Sequence, residues 1–79
     1  MKYQYIVVHS TYHIVNKEQS RFGIAVAFDE GEQITILETI PDLTLSFESI
    51  GRLVELCNKE KLEYIHLHDI MEDFLANIE

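Results

Sequence analysis

The chain has 79 residues, 47% of them hydrophobic, and its 14 acidic and 6 basic residues give a formal charge of −8. This length fits a single domain over residues 1–79, and so apolar a composition, with one proline and three glycines, excludes a disordered chain. The negative field repels phosphate backbones and anionic lipids, and the basic residues are scattered. We therefore expect no binding to nucleic acid or membranes.

The single cysteine bears on the compartment in which the protein works. Cys57 has no second cysteine with which to form an intramolecular disulfide, and extracellular domains of this size usually depend on several disulfides. The apolar stretch in the first nine residues is too short and too interrupted for a signal peptide or a transmembrane helix. We expect a cytoplasmic protein.

The first two strands are predicted from residue type and alternation. Residues 3–15 are rich in tyrosine, valine, isoleucine and threonine, which is typical of one long strand or two short collinear ones. A polar turn is predicted at residues 16–20. Over residues 22–28, large and small apolar side chains alternate. The large ones should face the core, and the small ones should leave room for a close neighbour on the other side.

A third strand is predicted after a short polar loop at residues 29–32, in which Gly31 can adopt a positive φ. The strand covers residues 33–40 and should end at Pro41 and Asp42. Three consecutive strands joined by short loops form an antiparallel meander.

Helical periodicity begins at Ser46, which is a good N-cap for a first helix over residues 46–59. Gly51 inside this helix costs about 1 kcal/mol relative to alanine, and we expect a sheet residue to pack against it. A second helix is predicted from Leu67, where the apolar residues again follow helical spacing. Residues 63–66 fit either helix or strand, and we favour helix from Tyr64.

Together these elements predict an α+β fold with the order β-β-β-α-α. The three-stranded antiparallel meander should be followed by two helices packed on one face of the sheet.

Short motifs in the second strand and in the helical part carry a family resemblance. They are Phe22-Gly23-Ile24, Asp42-Leu43-Thr44, IGRLVELCN at 50–58, Leu62, IHL at 65–67 and DIMEDFL at 69–75. Over residues 22–75 the chain resembles an uncharacterised family of small proteins from clostridia-type bacteria, and the first strand departs most from it. The resemblance implies a cytosolic location and a helical segment after residue 62. It supplies no catalytic residues.

The sequence His66-Leu67-His68-Asp69 contains good zinc ligands. On a strand the two histidines would share a face, but on a helix they lie about 200° apart and cannot bind one ion. Because we favour helix here, we expect no metal site. His66 should instead pair with Asp69 or a backbone group, and His68 with Glu72.

Cys57 lies on the apolar stripe of the first predicted helix, whereas a nucleophilic thiol needs an electropositive, partly exposed setting. The chain has no serine–histidine arrangement and no glycine-rich phosphate loop. We expect no catalytic residue, no cofactor and no small-molecule ligand.

The best functional hint is a possible interaction surface. The first strand has apolar groups on both faces, while two helices can cover only one, so the second face needs a cover such as a second copy of the chain. The predicted surface combines strand tyrosines with helical acids. Its residues are Tyr3, Tyr5, Tyr12, Glu63, Glu72 and Asp73.

The preferred hypothesis is a non-enzymatic protein-interaction or regulatory module whose partner is another protein or a second copy. One alternative is a small metal- or cysteine-dependent enzyme that uses His66, His68, Asp69 or Cys57. The other is an acidic inhibitor that mimics nucleic acid, for which the net charge is suitable.

Overall fold

A computed structural model describes residues 2–77. The sheet has the strand order β1-β2-β3 and is antiparallel throughout. Its strands are β1 (Lys2–Ile14), β2 (Lys17–Asp29) and β3 (Ile34–Thr44). The helical part consists of α1 (Phe47–Lys59), a 3₁₀ turn (Tyr64–His66) and α2 (Leu67–Asn77). The helices pack on the sheet, so the predicted α+β meander with two helices is confirmed. Neither helix in this part of the chain is long and apolar enough to cross a membrane.

The core lies between the helices and one side of the sheet. Large side chains of β2 point into it as predicted, and Ile24 and Val26 are fully buried there, while Phe22 and Phe28 at the ends are half-buried. Side chains from β1 and both helices complete the core. The buried cluster consists of Tyr5, Ile24, Val26, Ile50, Leu53, Val54, Cys57, Leu67 and Met71.

The turn between β1 and β2 is shorter than predicted. Only Val15 and Asn16 separate the two strands, and both have a positive φ, of 46° and 63°. Such two-residue turns match the twist of the strands that they join. The predicted polar turn at 16–20 is therefore wrong beyond Asn16, because residues 17–20 pair with residues 11–14 of β1. This pairing extends the hairpin beyond β3, and we call residues 10–21 the hairpin arm.

The third strand does not end at Pro41 and Asp42 as predicted but continues to Thr44. It is an edge strand, where the missing N–H of a proline removes no ladder hydrogen bond. Ile24 pairs with Ile40 and Phe22 with Thr44, so β3 bulges between these pairs, and Asp42 has a φ of 59°. A bulge of this kind needs space beside the partner strand.

Gly23 provides the space for this bulge. A Cβ atom at Gly23 would lie 2.7 Å from Cα of Pro41 and closer still to the carbonyl oxygen of Ile40. The predicted close neighbour of the small residues of β2 is therefore confirmed at Gly23.

The predicted glycine turn before β3 and the predicted N-cap of α1 are both present. Gly31 has a φ of 97° in the loop between β2 and β3. The Ser46 side chain accepts a hydrogen bond of 3.1 Å from the backbone N–H of Ser49 and caps α1. The expected packing against Gly51 is wrong, because no atom of the sheet would lie within 4 Å of a Cβ there.

The end of α1 is tied to the outer edge of β1 through Asn58. The Asn58 side chain accepts a hydrogen bond of 2.8 Å from the N–H of Tyr5 and donates one of 3.0 Å to its carbonyl oxygen. The Tyr5 hydroxyl donates a third, of 2.7 Å, to the carbonyl oxygen of Leu62. These bonds satisfy backbone groups that an edge strand otherwise leaves open.

The segment after α1 is helical from Tyr64, as favoured, but its first turn is a 3₁₀ turn before α2 begins at Leu67. Leu67 is fully buried, which anchors the start of α2 in the core.

Replacing Gly23 by alanine should lower the free energy of unfolding by about 2–3 kcal/mol, because the new methyl group overlaps the backbone of the β3 bulge. Gly51→Ala is the matched control. It should raise the same free energy by up to about 1 kcal/mol, since alanine favours helix and the space is open. Urea unfolding measures both changes. Equal effects of the two substitutions would contradict the close approach at Gly23.

Replacing Asn58 by alanine should cost about 1–2 kcal/mol, because the N–H and carbonyl of Tyr5 both lose their partner. Asn77→Ala is the control, since the Asn77 amide is exposed and bonds only within its own helix, to the Asp73 carbonyl. It should cost less than about 0.5 kcal/mol. Thermal unfolding followed by circular dichroism compares the two, and a similar loss in both would show that the Asn58 tether contributes little.

Candidate functional site

The side of the sheet that faces away from the helices is uncovered. Side chains alternate along a strand, and directly paired residues of an antiparallel sheet share a face. Because Tyr5, Ile24 and Val26 point into the core, their neighbours along each strand point outward. We call the resulting surface the open face. Its side chains are those of Gln4, Ile6, Val8, Ala25, Ala27, Ile34, Ile36 and Thr39.

The open face has a central valley between two ridges. On the central strand, Ala25 is 6% exposed and Ala27 is 0% exposed, although no helix covers them. The flanking isoleucines shield them: Ile6 pairs with Ala25, and Ile36 pairs with Ala27. These larger residues are themselves exposed to water, at 40% for Ile6, 53% for Ile36 and 59% for Ile34. Two exposed polar side chains complete the ridges, because Gln4 pairs with Ala27 and Thr39 pairs with Ala25.

The apolar surface continues along β1 onto the hairpin arm. Tyr12 and Ile14 are separated from Ile6 by an even number of positions along β1, so all three side chains lie on the same side of the sheet. Ile14 is half exposed. The Tyr12 hydroxyl donates a hydrogen bond of 2.6 Å to Asp42, which raises the pKa of Tyr12 above its ordinary value. The Arg21 guanidinium lies 5.5 Å from the centre of the Tyr12 ring. The hydrogen bond to Asp42 links the arm to β3.

The charge of the protein is concentrated on the helical side. All eight residues of the open face are uncharged, and the charged residues on the same side of β2, Lys17, Arg21 and Asp29, lie towards its two ends. The acidic residues of the helical part are Glu48, Glu55, Glu60, Glu63, Asp69, Glu72 and Asp73. All of these are exposed.

The prediction that three tyrosines share one interaction surface is wrong. Tyr3 and Tyr5 are an odd number of positions from Tyr12 along β1, so their side chains point to the opposite face of the sheet. Tyr5 is buried in the core, where loss of solvent raises its pKa to about 12. Tyr3 is half-buried on the helical side, with its ring centre 5.3 Å from that of Phe28 and 6.5 Å from that of Tyr64. Only Tyr12 joins the uncovered side.

The predicted acidic positions Glu63, Glu72 and Asp73 are exposed on the helical side. The structure therefore does not bring them together with Tyr12. Glu63 borders a groove of about 520 Å³ at the end of the sheet, which is also lined by Lys2, Tyr3, Asn58 and Lys61.

Sequence reasoning found a surplus apolar face on the first strand but did not combine it with the other two strands. The available signal was the spacing of two residues between Ile34 and Ile36, together with the alanines at 25 and 27. Which strands lie side by side, and in which register, was needed to join them into one surface.

The two candidate zinc histidines have different surroundings. His66 is exposed in the 3₁₀ turn. His68 lies in the first turn of α2, with its Nε2 atom 3.0 Å from Oε2 of Glu38. The expected pair between His68 and Glu72 is therefore wrong, since His68 reaches across to β3. Within residues 2–77, no three or more His, Cys, Asp and Glu side chains are grouped so that they could hold a metal ion.

Glu38 is the centre of a small polar cluster that joins β3 to the start of α2. The Tyr64 hydroxyl donates a hydrogen bond of 2.6 Å to Glu38, and His68 approaches the same carboxylate. The bond from Tyr64 and, to a smaller extent, the contact with His68 lower the pKa of Glu38. In turn, the carboxylate raises the pKa of Tyr64. Tyr64 therefore stays protonated and donates its hydroxyl hydrogen to Glu38, so it is not suited to act as a base.

Cys57 is buried in the core as predicted, and burial raises the pKa of its thiol. A nucleophilic cysteine requires the opposite shift, because the thiolate is the reactive form.

The Glu38 cluster should make stability depend on acid pH. Because folding lowers the pKa of Glu38, its contribution is complete above the ordinary glutamate pKa and is lost as the pH falls through the folded-state value. NMR titration should place the Glu38 pKa below its ordinary value, and Tyr64→Phe should move it upward because the strongest donor is removed. An unchanged Glu38 pKa in the variant would contradict the hydrogen bond from Tyr64.

Comparison with known proteins identifies a family. No curated protein and no solved structure shows significant similarity to this chain. Residues 1–77 match the family of unknown function DUF6514. The match includes the first strand, where the resemblance at the sequence level was weakest. Since it covers nearly the whole sequence, the chain belongs to the family of unknown function DUF6514.

Proposed function

We propose that the protein is a non-enzymatic interaction module that binds another polypeptide through the open face. The observation that carries this proposal is the row of exposed isoleucines, Ile6, Ile34 and Ile36, on both sides of the alanine valley. An antiparallel sheet that faces water on one side normally has polar side chains there. A contiguous apolar surface on a small protein usually marks a binding site.

The chemistry of the remaining groups supports an interaction role over catalysis. The Cys57 thiol is buried and its pKa is raised. Glu38 is engaged by Tyr64 and His68 in a contact between β3 and the start of α2. Each of these groups already has a structural role in the part of the chain that the structure describes.

The separation of apolar and acidic surfaces also supports the proposal. The acids of α1 and α2 lie on the side opposite to the open face, so a partner that covers the isoleucines buries none of these carboxylates. Burying an unpaired charge is strongly unfavourable. The acidic side remains in water and leaves the apolar side available for binding.

Site-specific photo-crosslinking in cells tests this proposal. A photoreactive side chain in place of Ile34 should give a covalent adduct of discrete mass, because a bound polypeptide lies against the open face. The same group in place of Ile65 is the matched control, since Ile65 is 79% exposed but lies in the 3₁₀ turn. Absence of a discrete adduct at position 34, or the same adducts at both positions, would refute the proposal.

A further inference from the structure

We infer that the polypeptide covering the open face is a second copy of this chain, packed face to face in a symmetric dimer. This inference rests on the proposed function and adds the identity of the partner. Four properties of the molecule carry it: surface area, charge distribution, surface relief and the state of the two sheet edges.

The chain exposes more surface than a folded monomer of its mass. Its accessible surface is 5858 Å², whereas a monomeric protein of 9.2 kDa is expected to expose about 4,900 Å². The difference is close to the roughly 800 Å² that each partner buries in a standard interface. The area available therefore matches what one copy contributes to a stable dimer.

The shape of the molecule explains where this extra surface lies. Its extents are 44 × 28 × 17 Å, and its radius of gyration is 13.5 Å, compared with about 11.6 Å for a compact chain of this length. The uncovered side of the sheet and the hairpin arm both contribute. Because Tyr12 and Ile14 continue the apolar surface onto the arm, a second copy can cover both regions at once.

The charge distribution favours this orientation for a second copy. Each copy has a formal charge of −8, so contact between two helical sides would bring like charges together. Contact between two open faces places uncharged residues at the centre and leaves the acidic helices on opposite outer sides. Repulsion between the helical acids is then smallest. The carboxylate of Asp29 lies at one end of the contact, where Asp29 pairs with Ile34 on one side and with Lys2 on the other.

The relief of the open face suits packing against an identical surface. Two packed sheets lie about 10 Å apart, and their inner side chains interdigitate. Ala25 and Ala27 form a valley that can accept large side chains, and Ile6 and Ile36 beside it supply such side chains. One surface therefore offers both halves of the contact, as an isologous dimer requires.

Both edges of the sheet are poorly suited to pairing with another copy. At β1, the Asn58 side chain occupies the backbone N–H and carbonyl of Tyr5. At β3, Pro41 lacks an N–H, and the register shifts twice along the strand. Bulges, prolines and blocked backbone groups are the usual protections of sheet edges. A second copy is therefore directed to the open face.

Sedimentation equilibrium over a dilution series of the purified chain tests the dimer. The wild type should have twice the monomer mass of 9.2 kDa. Ile36→Glu should raise the dimer dissociation constant at least about 100-fold, because symmetry places two carboxylates in the apolar contact. Ile34→Glu is a second variant with the same expectation. Ile65→Glu, with an equal change in charge outside the open face, should remain a dimer.

Circular dichroism should show that all three variants are folded, since each replaced residue is exposed. A wild-type chain that stays at 9.2 kDa throughout the series would overturn the inference, as would equal dissociation of the Ile36 and Ile65 variants. If the chain is monomeric but position 34 still crosslinks to a different polypeptide, the dimer is wrong and the proposed interaction function stands. If no adduct forms either, both are wrong.

Discussion

The structure depends on one constraint of layer packing: two short helices cover only one side of a three-stranded sheet. α1 and α2 supply the side chains that bury Tyr5, Ile24 and Val26. After these contacts are made, no further element among residues 2–77 is available for the other side. The apolar residues that alternate with the core residues are therefore left in water. This surplus carries both the proposed interaction function and the proposed dimer.

Hydrogen bonds between distant parts of the chain determine how the helices lie on the sheet. Asn58 and Leu62 bind Tyr5 at one edge, and Tyr64 and His68 bind Glu38 on β3. The first group positions the end of α1 and the second positions the start of α2. Hydrophobic contact alone is non-directional, so these polar contacts help to select one orientation. They also occupy several of the groups that would otherwise be candidates for chemistry.

The tight approach at Gly23 has a comparable role within the sheet. It lets β3 bulge around Pro41 and Asp42 and still return to pair with Phe22. The bulge keeps Thr44 beside β2 and places the Ser46 cap close to the sheet. The chain can then enter α1 directly, with Phe47 against Phe22 at a ring-centre distance of 5.4 Å. A local backbone contact thus sets the entry to the helical layer.

Local pattern was sufficient to predict the element order and most of the core. Alternation over residues 22–28, the Ser46 cap and the helical spacing after it depend on neighbours in sequence, and all three predictions are confirmed. The ends of strands were less predictable. Residues 17–20 and Pro41 to Thr44 extend their strands because a paired neighbour stabilises them, which composition does not reveal.

The candidate site shows the same division. The sequence by itself determined that the chain has more apolar strand surface than two helices can bury, since this follows from composition and alternation. Only the tertiary structure decided which residues form that surface. Strand register brings Ile6, Ala25 and Ile36 together. The alternation of side chains along β1 places Tyr12 and Tyr5 on opposite faces of the sheet. The physical reason is that pairing between strands joins residues far apart in sequence, and no local pattern specifies that pairing.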